Sequence, residues 1–160
     1  MKKSPINIPF ISIISVSQLF FFSCAFAGTT VIDTLSFGTI AVLDNSSTSE
    51  ITVTSTNNIS CTNHIRILIP GHRGEFLLTS YPTYTPVFTT ATVLVAETSS
   101  PAPTSAQFTL VNLETASSVT TDGTGFASVY VGGTIQTSGN ASSQYFDSDY
   151  TATYELTFNF

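Results

Sequence analysis

The last eleven residues of the chain alternate strictly between two classes of side chain, and a helix does not produce that pattern. The even positions are apolar or aromatic and the odd positions are polar: Tyr150, Ala152, Tyr154, Leu156, Phe158 and Phe160 against Thr151, Thr153, Glu155, Thr157 and Asn159. Successive side chains of a β-strand point to opposite faces. The alternation therefore predicts a strand with one face toward a core and one toward solvent.

The rest of residues 28–160 consists of short runs rich in Val, Ile, Thr, Phe and Tyr, separated by Gly, Pro, Asn, Asp and Ser. The runs predict strands at 31–37, 50–54, 64–69, 75–79, 90–96, 107–112, 125–131 and 150–160, with a shorter one at 133–137. Turns are expected at 44–47, 56–58, 70–74, 122–123 and 138–140. Eight or nine strands at this spacing predict an all-β, immunoglobulin-like antiparallel sandwich, with a closed β-barrel as the alternative.

The first 27 residues have the layout of a secretory signal peptide. Lys2 and Lys3 precede a largely apolar stretch at 6–22, and the small residues of an A-x-A site end at Ala27, just before Gly28. A retained membrane anchor is the alternative, but prolines and serines interrupt the apolar run. We expect cleavage between Ala27 and Gly28, which leaves one domain at 28–160 with no membrane span. The product would reside in the periplasm, at the cell surface or outside the cell.

Charge is scarce in this domain. Residues 28–160 carry no lysine and two arginines against ten carboxylates, a net charge of −8, and 44 of these 133 residues are Ser or Thr. Nucleic-acid binding needs clustered Lys and Arg, so this composition excludes it. Acidic partners in general are repelled.

Cys61 is the one cysteine of residues 28–160, so it has no partner there for an internal disulfide. A small buried apolar side chain is one interpretation of Cys61. An intermolecular disulfide is the other.

Leu35-Ser36-Phe37-Gly38-Thr39-Ile40, Val131-Gly132-Gly133-Thr134 and the closing strand at 150–158 follow one another in this order along the chain. In this order they resemble a secreted bacterial family, domain of unknown function 4402. The similarity spans about residues 33–160, and its most specific parts are a Val-Gly-Gly-Thr motif and the closing strand. The motif residues are Phe37, Gly38, Gly132, Gly133, Tyr150, Tyr154 and Phe158. The resemblance implies export by a Gram-negative bacterium and a β-sandwich similar to pilins and spore-coat-U proteins. It implies no catalytic residues.

Gly132 and Gly133 also have a simple structural interpretation. Paired glycines beside strand residues permit a bulge or a turn with positive φ. A phosphate cradle would need a following helix, and the sequence predicts none.

The cationic residues of the domain fall within ten positions, at His64, Arg66, His72 and Arg73. Together with Tyr81 and Tyr84 they form a candidate patch for an acidic partner or a glycan, since aromatic rings and a few polar groups suit sugars. The alternative is a sheet edge on which the cations pair with nearby acids, each pair contributing only about 0–1 kcal/mol.

The sequence contains no recognisable catalytic or metal-binding motif. There is no Gly-x-Ser-x-Gly elbow and no HExxH spacing, and Asp147-Ser148-Asp149 is better explained as a turn than as a calcium loop. We expect no enzyme activity, no cofactor and no metal.

The sequence as a whole predicts an exported, non-enzymatic structural or adhesion protein of the cell surface, similar to a fimbrial subunit. The alternative is a secreted glycan- or ligand-binding module. Partners are expected to be other copies of the chain, other surface proteins or a glycan. Because the closing strand is present and long, we expect a sandwich that completes itself, without a strand donated by a neighbour.

Overall fold

The computed structural model describes residues 27–102 and 104–160. The predicted signal peptide therefore lies outside the described residues, apart from Ala27. Within those two ranges no helix has the length and apolar character needed to cross a membrane.

Eleven strands make up the regular structure of the described residues. Their bounds are β1 Gly28–Asp33, β2 Ser36–Val42, β3 Glu50–Val53, β4 Ile59–Cys61, β5 Ile65–His72, β6 Gly74–Thr79, β7 Pro86–Ser99, β8 Thr109–Thr115, β9 Ser118–Thr120, β10 Ala127–Gln136 and β11 Thr151–Asn159.

The strands form two open antiparallel sheets that pack as a sandwich. Nine strands belong to one sheet ordered β1-β6-β10-β8-β7-β11, to which β3 and β4 are added beside β10, and β9 beside β7. Strands β2 and β5 form the second sheet. A single residue pair, Glu97 with Thr109, joins β7 to β8. At that narrow junction the long sheet folds over and brings β7 and β11 against β6 and β10. The predicted all-β sandwich is confirmed, and the described residues form no closed barrel.

Two apolar clusters fill the space between the layers. One joins β6 and β10 to β7, β9 and β11 through Phe76, Leu78, Tyr81, Val87, Val129 and Val131. The other joins the β2–β5 sheet to β3, β8 and β10 through Ile51, Ile65, Phe108, Leu110 and Ile135. The alternation predicted for the closing strand is confirmed from Tyr154 to Phe158, since Tyr154, Leu156 and Phe158 pack on the first cluster and the odd positions are exposed. It does not hold at the two ends, because Ala152 is exposed beside a register shift and Phe160 is 64% exposed.

Strand β10 runs through both clusters without a break, where the sequence predicted two strands. It pairs with β6 through Val131 and with β3 from Gly133 onward. A Cβ at Gly132 would overlap the backbone of Val53 and Ser55, so close approach of the β3 chain requires glycine there. Neither glycine of the pair has a positive φ. The pairing of β10 with β8 shifts register just after the glycine pair, between Thr134 and Ile135 of β10.

The predicted strand 31–37 is in fact two strands. The chain leaves the β6 edge after Asp33 and joins β5 from Ser36, so it crosses between the sheets at Thr34 and Leu35. The predicted turn at 70–74 also differs, because β5 continues to His72 and β6 starts at Gly74. Only Arg73 separates these two strands.

Candidate functional site

The structure distributes the predicted cationic and aromatic residues over several places. His64 immediately precedes β5 and His72 ends it. A rise of about 3.3 Å per residue puts the two histidines roughly 25 Å apart. Arg66 is exposed on β5 near the His64 end. The four cationic side chains therefore do not form one patch.

Arg73 is engaged within the fold. Its guanidinium carbon lies 3.5 Å from the centre of the Tyr130 ring, and its Nη1 donates to the Ser55 carbonyl at 3.0 Å. Its backbone N–H donates to the Asn57 side chain at 2.8 Å. Arg73 thereby joins the β5–β6 corner to β10 and to the β3–β4 turn.

The histidines lie beside acids. His72 Nδ1 is 3.4 Å from an oxygen of Asp33, which links the β5–β6 corner to the end of β1. His64 lies near Asp44, a carboxylate in the turn after β2. The pKa of Asp44 is lowered, chiefly by the hydrogen bond from the Ser46 hydroxyl, and the neighbouring His64 contributes to the same shift.

Tyr81 and Tyr84 lie at the opposite end of β6 from Arg73. Tyr81 is buried in the first cluster, with its ring edge-on to Phe160 at 4.9 Å. Tyr84 is 75% exposed and has a φ of 52°, and its backbone N–H reaches the Asp122 carbonyl at 3.4 Å. These tyrosines belong to a different end of the sandwich from the predicted turn at 70–74.

Cys61 is exposed on the short strand β4, which pairs only with β3. Its Sγ donates to the Ile65 carbonyl at 3.3 Å. The interpretation of Cys61 as a buried side chain is wrong, because β4 lies at a sheet edge. The intermolecular disulfide stays a prediction.

Residues 137–150 form a long connection between β10 and β11, in which the sequence predicts turns only at 138–140 and 147–149. Irregular loops of more than about 12–15 residues are uncommon in compact domains and are often functional. Here buried Asn45 organises the loop. Its Nδ2 donates to Ser138 Oγ, the Asn140 carbonyl and the Ser143 carbonyl at 2.9–3.0 Å, and its Oδ1 accepts from the Gly139 N–H at 3.1 Å.

Tyr145 and Tyr150 hold the second half of the β10–β11 loop by hydrogen bonds from their hydroxyl groups. The Tyr145 hydroxyl donates to the Gln107 carbonyl at 3.1 Å and accepts from the Ser138 N–H at 2.9 Å. The Tyr150 hydroxyl bonds to Ser105 Oγ and to the Phe146 carbonyl. Both rings pack on buried Phe108.

An open depression of about 340 Å³ lies between this loop and the segment that follows β7. Its lining consists of Thr104, Ser105, Ala106, Ser142, Ser143, Gln144 and Phe146. Hydroxyl and amide groups dominate, and Phe146 adds one aromatic ring that is 45% exposed. Among the residues that the structure covers, no three His, Cys, Asp or Glu side chains gather as metal ligands.

The family model described as "Domain of unknown function (DUF4402)" matches residues 28–160. The comparisons with curated proteins and with solved structures gave no match.

Proposed function

The chain belongs to the DUF4402 family, and from that premise we propose that it is an exported, non-enzymatic structural or adhesive domain of the bacterial surface, similar to a fimbrial subunit. The family description assigns no activity, so the proposal depends on how this chain uses its own residues.

The observation that carries the proposal is that the chain pairs both of its outer strands internally. β11 pairs with β7 at eight positions between Thr151 and Asn159, and β1 pairs with β6 from Gly28 to Asp33. The apolar face of β11 thus covers the first cluster with side chains of the same chain. A domain closed in this way does not need a neighbour's strand in order to fold.

The polar side chains of the domain also suit an exposed structural role. Two members of the predicted patch contact other parts of the fold. Arg73 contacts Tyr130 and Ser55, and His72 lies beside Asp33. The outer faces of β7 and β11 present exposed threonines: Thr90, Thr92, Thr151, Thr153 and Thr157. On β7 these threonines lie among Phe88, Leu94 and Val95, which are 57%, 56% and 54% exposed, so the exposed side of this strand mixes hydroxyl and apolar groups.

The test is the location of the native chain. Antibodies raised against the folded domain should label intact, unpermeabilised cells of the source bacterium, and a deletion strain should lose the signal. Labelling that requires permeabilisation of the inner membrane would contradict export to the surface.

A second candidate function is a glycan- or ligand-binding module. The observation that favours it is the β10–β11 loop, which is held rigidly by Asn45, Tyr145 and Tyr150 next to an open depression. Binding residues are often carried by loops that a rigid scaffold positions.

A further inference from the structure

We propose that the depression beside the β10–β11 loop binds a neutral saccharide, with the ring of Phe146 stacking on one face of a sugar. We call this depression the loop site and define it by Thr104, Ser105, Ser142, Ser143, Gln144 and Phe146. The proposal names the ligand class for the second candidate function and rests on that candidate.

The size of the loop site fits a small ligand. Its volume of about 340 Å³ lies at the lower end of the range of roughly 300–1,000 Å³ that is usual for ligand pockets. It is open to solvent on one side, which suits a sugar unit at the end of a longer glycan better than an enclosed metabolite.

The backbone of the loop site is fixed before any ligand arrives. The Ala106 N–H donates to the Gln144 carbonyl at 2.8 Å, and the Ser143 N–H to the Asn140 carbonyl at 2.9 Å. Ser105 Oγ accepts from the Phe146 N–H at 3.1 Å. A preorganised site loses little conformational entropy on binding.

The side chains of the loop site remain available. Within the described residues, the side chains of Thr104, Ser142, Ser143 and Gln144 make no hydrogen bond, and the last three residues hold the loop through backbone groups alone. Three hydroxyls and one amide, each able to donate and accept, therefore face the depression. This set matches the hydroxyls of a sugar, while the exposed Phe146 ring matches its apolar C–H face.

Charge selects neutral saccharides over acidic ones. None of the described residues that line the loop site has an ionisable side chain. Asp147 and Asp149 follow Phe146 along the chain, and the whole of residues 28–160 carries a net charge of −8. A sialylated or sulfated glycan would approach against this field.

A neighbouring depression of about 240 Å³ gives the loop site an extension. It is lined in part by Leu43, Asp44 and Asn45 and shares Ser143 and Gln144 with the loop site. A longer saccharide that crosses these two residues gains further contacts. For a loop site that binds maltose, maltohexaose should therefore bind more tightly than maltose.

The experiment is an NMR titration of the isotope-labelled protein with lactose, maltose and N,N′-diacetylchitobiose at millimolar concentration, with 3′-sialyllactose as the acidic counterpart of lactose. We expect at least one neutral disaccharide to shift the amide signals of residues 104–106 and 142–146. Sialyllactose should bind more weakly than lactose at low salt. No shift in these segments with any of the three disaccharides, or tighter binding of sialyllactose, would overturn the proposal.

Matched variants separate stacking from folding. Phe146→Ala keeps the backbone bonds of that residue and should weaken binding about tenfold, the equivalent of one aromatic contact. Tyr84→Ala removes a more exposed ring at the opposite end of β7 and should leave the affinity unchanged. Equal affinities of wild type and Phe146→Ala would contradict the stacking role. If binding fails while intact cells still display the domain, the loop site is wrong and the surface role stands.

Discussion

The guanidinium of Arg73 lies 3.5 Å from the centre of the Tyr130 ring, and this contact closes one corner of the sandwich. Arg73 is the only residue between β5 and β6, and Tyr130 lies on β10, the strand that pairs with β3, β6 and β8. Arg73, one member of the predicted patch, thus stabilises the fold by joining β10 and the β3–β4 turn to the β5–β6 corner.

Replacing Arg73 by Ala should lower the free energy of unfolding by about 1–3 kcal/mol, through loss of the cation–π contact and of the bond to Ser55. The control is Arg66→Ala, which removes the other arginine of residues 28–160 from an exposed position and should cost no more than about 0.5 kcal/mol. Urea unfolding of both variants measures the difference. Equal destabilisation would mean that the Tyr130 contact contributes nothing.

Gly132→Ala should destabilise the domain by about 3 kcal/mol or more, because the added methyl group meets the β3 backbone, which cannot move away without breaking its own pairing. Gly123→Ala is the matched control. Its methyl group would meet only the hydroxyl end of the exposed Tyr84 side chain, which can turn aside. Thermal unfolding of the two variants tests this, and a tolerant Gly132 position would refute the close approach of β3 to β10.

Asn45→Ala should release the β10–β11 loop. The substitution removes the two N–H donors that three acceptors share, together with one accepted bond, and leaves the part-buried carbonyls of Asn140 and Ser143 without that donor. We expect a loss of about 2–4 kcal/mol and faster amide exchange between residues 138 and 146. Asn159→Ala, at an exposed position near the end of β11, should change neither quantity. Unchanged exchange in Asn45→Ala would show that the loop is held by other contacts.

Stability should fall in acid partly through Asp122. The hydrogen bond from the Thr124 hydroxyl, together with backbone N–H groups of Phe126 and Thr124, lowers the pKa of Asp122 in the folded state. Its contribution is therefore full above the unfolded pKa of about 4 and is lost as the pH falls through the lower folded value. Melting temperatures measured from pH 6 downward should drop less steeply for Asp122→Asn than for wild type. Equal slopes for Asp122→Asn and wild type would contradict this contribution of Asp122.

The sequence predicted a strand best where apolar and polar residues alternate within that strand. The alternation of residues 150–160 predicted the buried face of β11, because side-chain period alone decides which face a strand turns to the core. The crossing at Leu35 had no such signal. Residues 31–37 are uniformly suited to a strand, and the change of sheet follows from pairing with distant β6 and β5.

The candidate site was less predictable for a related reason. The cationic residues are close in sequence, but the length of strand β5 separates His64 from His72. The loop site depends instead on Asn45, which is 93 residues from its partner Ser138. A single sequence does not reveal a contact at that separation, and only the unusual length of the segment between β10 and β11 could have drawn attention to it.

Light scattering after size-exclusion chromatography tests most directly whether the domain at residues 28–160 completes its own fold. Protein consisting of residues 28–160 should elute with the mass of one domain and should run as a single band when an unboiled sample is electrophoresed in sodium dodecyl sulfate. A ladder of detergent-resistant oligomers that disappears when residues 28–33 are removed would show that β1 is donated to a neighbour, and would contradict a self-completed sandwich.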